Sequence, residues 1–413
     1  MEPGDSRRRD RFIFVVWGLT NGGTLSVLRQ FWPRLAAHGE IELLTHGPNS
    51  VEVDLPTRVV GGAFSTPLRF PGIWVYFARM AIAALRAAGS DPRRSVLIAQ
   101  DSLATGAAAA VAGRLLGVPV LIMEHGTTTA IRSRYFWRHR LPVGSIPDRL
   151  RRPFLRSSIR LLHTLCLRLA DGALLAGDEA ATIYERAGLG GRRLMRYHFP
   201  VDLDRFRPAT DDERARSRAE LGLPTDALVI ASVSRLAPEK GLDRLVAAVA
   251  GAVAAAGAPR PVLVMAGGGP LREPLERQAA SAGVDLHFAG NLDADRVAEL
   301  LRAADLFVYA GLQGVNTPYA VLEAMASGLP VVATTAPQIH AEMLANGRGA
   351  AVRPGDVSAM AGAIARYLAS ADARRASGTA ARRYVEEHHA PEVLDREVDE
   401  LLARLAAGFG PHR

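Results

Sequence analysis

The stretch from Leu306 to Thr334, LFVYAGLQGVNTPYAVLEAMASGLPVVAT, leaves a chain few ways to fold. Leu306 to Ala310 is a short apolar run, as a buried strand requires. Pro318 opens a helix, where its missing N–H costs nothing, and Gly328 follows the last turn as a cap. Pro330 then opens a second buried strand. Strand, loop, helix, turn and strand is the unit of a parallel sheet, and such sheets take ligands at the carboxyl ends of their strands. Glu323 lies about a turn and a half into the helix, among Leu322, Ala324, Met325 and Ala326. Two readings are open for it: a buried carboxylate that needs a partner such as a ligand's hydroxyl pair, or a surface Glu facing water.

The same grammar fills the rest of the chain. In the first half, Arg11 to Thr20, Ile41 to His46, Ser95 to Gln100, Val118 to His125 and Gly172 to Gly177 read as strands. Asn21-Gly22-Gly23 leads into a helix from Thr24 to about His38, which Pro33 should kink or break. A glycine pair there lets backbone approach a ligand closely, but G-x-G-x-x-G spacing is missing, so a nicotinamide enzyme is not supported. His125, at the end of its strand, is a candidate for contacting substrate or a loop histidine bonded to backbone. A polar, Pro-containing stretch from Pro200 to Pro224 reads as the linker. In the second half, Ala227 to Leu236, Pro261 to Pro270, Val284 to Gly290 and Asp305 to Gly311 are strands, and the chain after Thr334 reads as helical. The fold class is therefore α/β, two doubly wound parallel-sheet domains: residues 1–200, joined by a terminal helix over 391–413, and residues 201–390.

Charge and composition narrow the function. Residues 1–200 hold 27 Arg against 15 acids, a balance of +12, whereas the whole chain is +8, so the remainder sums to −4. Nine Arg fall between Arg132 and Arg160 against one acid, Asp148, with Tyr135, Phe136, Trp137 and Phe154 interleaved. Such a segment suits nucleic acid, anionic lipid or an anionic substrate, or is a solvated loop. Of 50 basic residues only Lys240 is a lysine. Lysine is a compact charge on a flexible stem, and Arg235 and Lys240 bracket a loop at a strand's carboxyl end, a pairing that can neutralise a diphosphate. The single cysteine, Cys166 in LLHTLCLRLA, allows no disulfide framework and reads as a small core hydrophobe. No apolar run is long enough to span a bilayer, and MEPGDSRRRD lacks the apolar core of a signal peptide, so a cytoplasmic setting is expected.

Taken together, Ser234-Arg235-Leu236-x3-Lys240-Gly241, Gly267-Gly268-Gly269-Pro270, Phe288-x-Gly290 and Thr317-Pro318-x4-Glu323-Ala324-Met325-Ala326-x-Gly328-x-Pro330 resemble a family 4 retaining glycosyltransferase. Val201-Asp202-x3-Phe206-x-Pro208, Gly22-Gly23 and His125 fit the same pattern. The resemblance covers most of the chain and is strongest over 200–355. It implies a GT-B fold, two Rossmann-like domains facing across a cleft, with the acceptor mainly on the first and the nucleotide sugar (UDP, GDP or dTDP) mainly on the second. It implies a metal-independent hexosyltransferase with no cofactor beyond that co-substrate and no nucleic-acid partner. By position, Arg235 and Lys240 would bind the diphosphate, Glu323 the ribose hydroxyls, Thr317 and the following helix start the phosphates, and Asn291-Leu292 the base, with Asn316 also on the donor. Gly22 and Gly23 would approach the diphosphate, and His125 the donor sugar near the reacting carbon. The acceptor would be a small-molecule natural product or a lipid-linked glycan. If Arg132 to Arg160 docks on anionic lipid, the enzyme would be peripheral to the inner face of a membrane.

One departure bears on the donor. The family pairs two glutamates eight positions apart, the second matching Glu323; the first position is Val315, followed by Asn316 in place of glycine. Valine cannot accept a hydrogen bond, so a fully hydroxylated sugar would lose a charged contact worth about 1.5–3 kcal/mol. A deoxy or amino sugar would fit Val315, Asn316 or Gln313 would replace the contact, or the chain would be a catalytically weak nucleotide-sugar-binding subunit. Phe199-Pro200 stands where Asn-Gly is common in the family.

Overall fold

The computed structural model describes residues 9–18, 23–47, 53–61, 71–124, 146–175, 178–186, 188–256, 260–312, 318–335 and 339–408. The chain divides into two compact units, Met1–Phe199 with Leu394–Arg413, and Pro200–Val393. The first is built on a seven-stranded sheet whose strands are β1 (Arg11–Val16), β2 (Glu40–Thr45), β3 (Thr57–Val59), β4 (Ser95–Ala99), β5 (Val120–Glu124), β6 (Gly172–Leu175) and β7 (Leu194–Arg196). They lie in the order β3-β2-β1-β4-β5-β6-β7, all parallel. β1, β4, β5 and β6 are buried almost throughout, which is why they read as continuous apolar runs rather than alternating ones. Over one face of this sheet the helices Gly72–Gly89, Ala104–Leu116 and Ile146–Leu169 pack side by side, the middle one between its neighbours. Cys166 is fully buried in that layer.

The second unit carries β8 (Val229–Val233), β9 (Val262–Ala266), β10 (Asp285–Gly290), β11 (Leu306–Tyr309), β12 (Val331–Thr334) and β13 (Gly349–Val352). Their order is β10-β9-β8-β11-β12-β13, again all parallel. Each sheet reverses its winding once, between β1 and β4 in the first unit and between β8 and β11 in the second. The last helix, Pro391–Ala407, buries Leu394, Val398, Leu401 and Leu405. It is tied to the first unit by Arg34 Nε donating to Asp395 at 2.5 Å, and by Glu397 accepting from the His198 amide at 2.9 Å.

Three sequence expectations are corrected. Pro33 lies inside the helix Gly23–Ala36 without breaking it: its ring is on the exposed side and only one ladder hydrogen bond is lost near the end. The expected linker up to Pro224 contains the helix Asp211–Glu220, started by a capping box in which Thr210 and Glu213 satisfy each other's backbone N–H groups. That helix is anchored, not loose. Arg218, nearly buried, donates to Ala303 O at 3.0 Å and Asp305 at 2.7 Å, while Arg214 reaches Asp305 at 2.9 Å. Finally, the chain after Thr334 is not all helical, since β13 adds a parallel edge strand; its sequence, GAAV, has almost no β-branched signal and forms by pairing with β12.

Candidate functional site

The reversal between β8 and β11 places two loops side by side at the carboxyl edge of the second sheet, where open parallel sheets bind ligands. The first loop, after β8, contains a 3₁₀ turn at Pro238–Lys240 that ends at Gly241 in the left-handed conformation (φ 59°). Any Cβ on Gly241 would lie 2.4 Å from Ala310 O, so only glycine lets this loop close against the end of β11. Leu312 N donates to Glu239 O at 2.9 Å and stitches the two loops together. The glycine run after β9 serves the same edge. Gly267 (φ 131°) sits where a Cβ would overlap Ser234 O at 2.0 Å, and Leu236 N donates to Gly268 O at 2.9 Å.

Arg235 and Lys240 leave this loop as its two cations. Arg235 is exposed and its guanidinium pairs with Glu239 at 2.7 Å, four residues on. Such an exposed pair is worth at most about 1 kcal/mol, so an incoming phosphate can take the guanidinium over. The Lys240 ammonium stands over the Tyr309 ring, 5.6 Å from its centroid. Glu323 follows on the helix Tyr319–Ala326, which leaves the same edge after β11. Its carboxylate is half-buried, and burial pushes its pKa up to about 7, opposed by the charge of Arg205. Among the described residues no hydrogen bond to that carboxylate is found. The same negative charge, added to burial, raises the Tyr319 phenol. Of the two sequence readings for Glu323, the structure is nearer the first: a carboxylate short of water and open to a donor.

The other candidates distribute as follows. Asn291 and Leu292 follow β10, two strands from β8, and the Asn291 amide lies against Gly268, where a Cβ would meet it at 2.9 Å. Gly23 begins the first unit's Gly23–Ala36 helix. Gly22, His125, Val315, Asn316 and Thr317 lie outside the described residues, as do residues 132–145 of the segment from Arg132 to Arg160. Glu239, Tyr309 and Arg205 escaped the sequence reading; an acid four residues after Arg235 and an aromatic closing a strand were the available signals.

The first unit has a polar cluster of its own beside its reversal point. Asp101, just past β4, accepts from Leu103 N at 2.7 Å, and burial raises its pKa to about 6. Glu124, the last residue of β5, is buried and accepts from the Tyr184 hydroxyl at 2.8 Å. His163 Nδ1 meets the Ser102 hydroxyl at 3.0 Å. Among the described residues no group of three or more His, Cys, Asp or Glu could hold a metal ion.

Residues 213–384, within the second unit, match the family described as Glycosyl transferases group 1. The chain is 32% identical over 213 residues to a GDP-mannose-dependent monoacylated alpha-(1-6)-phosphatidylinositol monomannoside mannosyltransferase of Corynebacterium glutamicum, covering 50% of this chain and 55% of that one. It is 29% identical over 280 residues to the sulfoquinovosyl transferase SQD2 of Arabidopsis thaliana, covering 67% and 50% respectively. The chain thus spans about half the length of the curated relatives it matches. Among solved structures, Anabaena HepE in complex with UDP-glucose is similar at a TM-score of 0.74 and 16% identity, covering 95% of this chain and 99% of that one. WaaG, a glycosyltransferase involved in lipopolysaccharide biosynthesis, is similar at 0.68 and 16% identity, with the same coverage. These likenesses establish the fold as GT-B, with two parallel-sheet Rossmann-like domains.

Proposed function

We propose that the chain is a nucleotide-sugar-dependent glycosyltransferase of the group 1 family that transfers its sugar with retention. The observation that supports this reading is topological: Arg235 and Lys240 follow β8 and Glu323 follows its neighbour β11, on either side of one reversal point of a parallel sheet. Arg235 and Lys240 take the donor diphosphate. Ionised Glu323 accepts from the ribose hydroxyls, and Asn291-Leu292 lie along the base. Gly22, Gly23, His125, Asn316 and Thr317 join this assignment through the sequence resemblance alone. In the reaction the bond from the sugar's anomeric carbon to the diphosphate oxygen breaks as the acceptor oxygen bonds to that carbon. The acceptor's proton passes to the departing diphosphate, whose charge the two cations stabilise without a metal. Val315 favours a deoxy or amino sugar, and the acceptor is a small molecule or a lipid-linked glycan.

A thermal-shift series with UDP, GDP, dTDP and ADP tests the site. One nucleotide should raise the melting temperature, since a ligand bound only by the folded state stabilises it, and the shift should vanish in Lys240→Ala and Glu323→Ala. The deoxy and amino sugar nucleotides of that base, beside the fully hydroxylated ones, then identify the donor by turnover. A shift without donor turnover or hydrolysis supports the weak-binding subunit that Val315 also allows. No shift with any nucleotide defeats both readings.

A further inference from the structure

Among the described residues only seven large hydrophobic side chains stand exposed, and all belong to the first unit. Five of them, Val75, Ile82, Leu115, Phe154 and Leu161, are on the three helices that cover one face of its sheet. The spacing is regular. Val75 and Ile82 are seven residues apart on one helix and Phe154 and Leu161 seven apart on another, so each pair shares a face. Arginines continue the same stripes: Arg79 and Arg86 with the first pair, Arg168 with the second. The stripes therefore run for roughly 16–21 Å, the first alternating apolar tip and guanidinium and the second setting two apolar tips ahead of one guanidinium. Across all three helices the only acid is Asp148, in the first turn of Ile146–Leu169.

An ordinary solvated surface mixes both signs of charge and keeps large hydrophobes scattered. A second copy of the chain is a poor occupant, because it would set arginines against arginines. Nucleic acid would use the arginines but gain nothing from protruding Val, Ile and Leu. An anionic bilayer satisfies both halves of the pattern, taking apolar tips into the interface while lipid phosphates meet the guanidinium groups. We infer that the outer surface of the helices Gly72–Gly89, Ala104–Leu116 and Ile146–Leu169 docks on an anionic membrane. No helix among the described residues is long and apolar enough to cross one, so the contact is lateral. This inference stands apart from the transferase reading, since it uses neither Arg235, Lys240 nor Glu323.

Co-sedimentation of the full chain with phosphatidylcholine vesicles, with and without phosphatidylglycerol, tests it. At low salt the protein should pellet with the anionic vesicles only, and high salt should release it. Arg86→Ser with Arg168→Ser should weaken partition about 25-fold, at about fivefold per lost cation. Ile82→Ser with Leu161→Ser should weaken it while leaving the salt dependence intact. Melting curves of both double variants check that they fold, and either variant alone suffices if the other does not. The inference is overturned if the wild type stays in solution at low salt, if it binds uncharged vesicles equally well, or if both folded variants bind like wild type. It is also overturned if the wild type is a dimer that these variants dissociate, because a second copy then covers the face.

Discussion

Glu323 shows what a single side chain contributes. Its folded pKa of about 7 is above the ordinary 4.5, so the folded state holds this proton more tightly than the unfolded state does. Stability is therefore lost as pH rises from about 4.5 to 7 and is level above that. Glu323→Gln lacks this slope; it should match wild type at pH 4 and exceed it by about 1–2 kcal/mol at pH 8, read from urea titrations at each pH. Binding should show the opposite dependence. A nucleotide sugar, whose diphosphate does not titrate near neutrality, should bind more tightly to wild type as pH passes 7 and show no such rise with Glu323→Gln. Calorimetry at pH 6 and 8 decides this; parallel profiles would remove Glu323 from the site. At this scale the sequence was partly legible. Lys240 stood out because the composition isolates it, whereas the glycines at 241 and 267 entered only as part of the family pattern and their close backbone approach is visible in the structure alone. The Glu239 partner of Arg235 was not legible, because an i, i+4 pair in a loop forms only if the intervening turn tightens to 3₁₀ geometry.

Elements were read well where burial wrote the pattern and poorly where it did not. The central strands of both sheets are apolar throughout and were found; β3, β7 and β13 are short edge strands whose pairing comes from a neighbour rather than from composition. The helix Asp211–Glu220 was taken for linker because its sequence, DDERARSRAE, has no apolar stripe. It is held by charge. Asp305 receives Arg214, the nearly buried Arg218 and the Val229 amide at once, joining that helix to the starts of β8 and β11. Asp305→Ala strands a buried guanidinium and should cost about 3–5 kcal/mol of stability. Chemical denaturation of the variant measures it; a loss under about 1 kcal/mol would show that Ala303 O and water suffice for Arg218.

At the scale of the molecule, each unit has its own sheet and core, and the last helix completes the first of them. A chain ending before Leu394 loses four buried side chains from that unit, each worth about 1.5–3 kcal/mol. Its first unit should melt well below the intact protein's, while nucleotide still stabilises the second; loss of both responses together would mean that the units fold as one. The arginine bias has a further consequence, in chemical labelling. With lysine present only at 240, above the Tyr309 ring, an amine-selective reagent meets a single side-chain target in the whole protein. Acylation kinetics at that one side chain, followed by peptide mapping that separates it from the α-amino group, report directly on whether the second sheet's reversal point is occupied. A chain this rich in basic residues thus carries its own single-site probe.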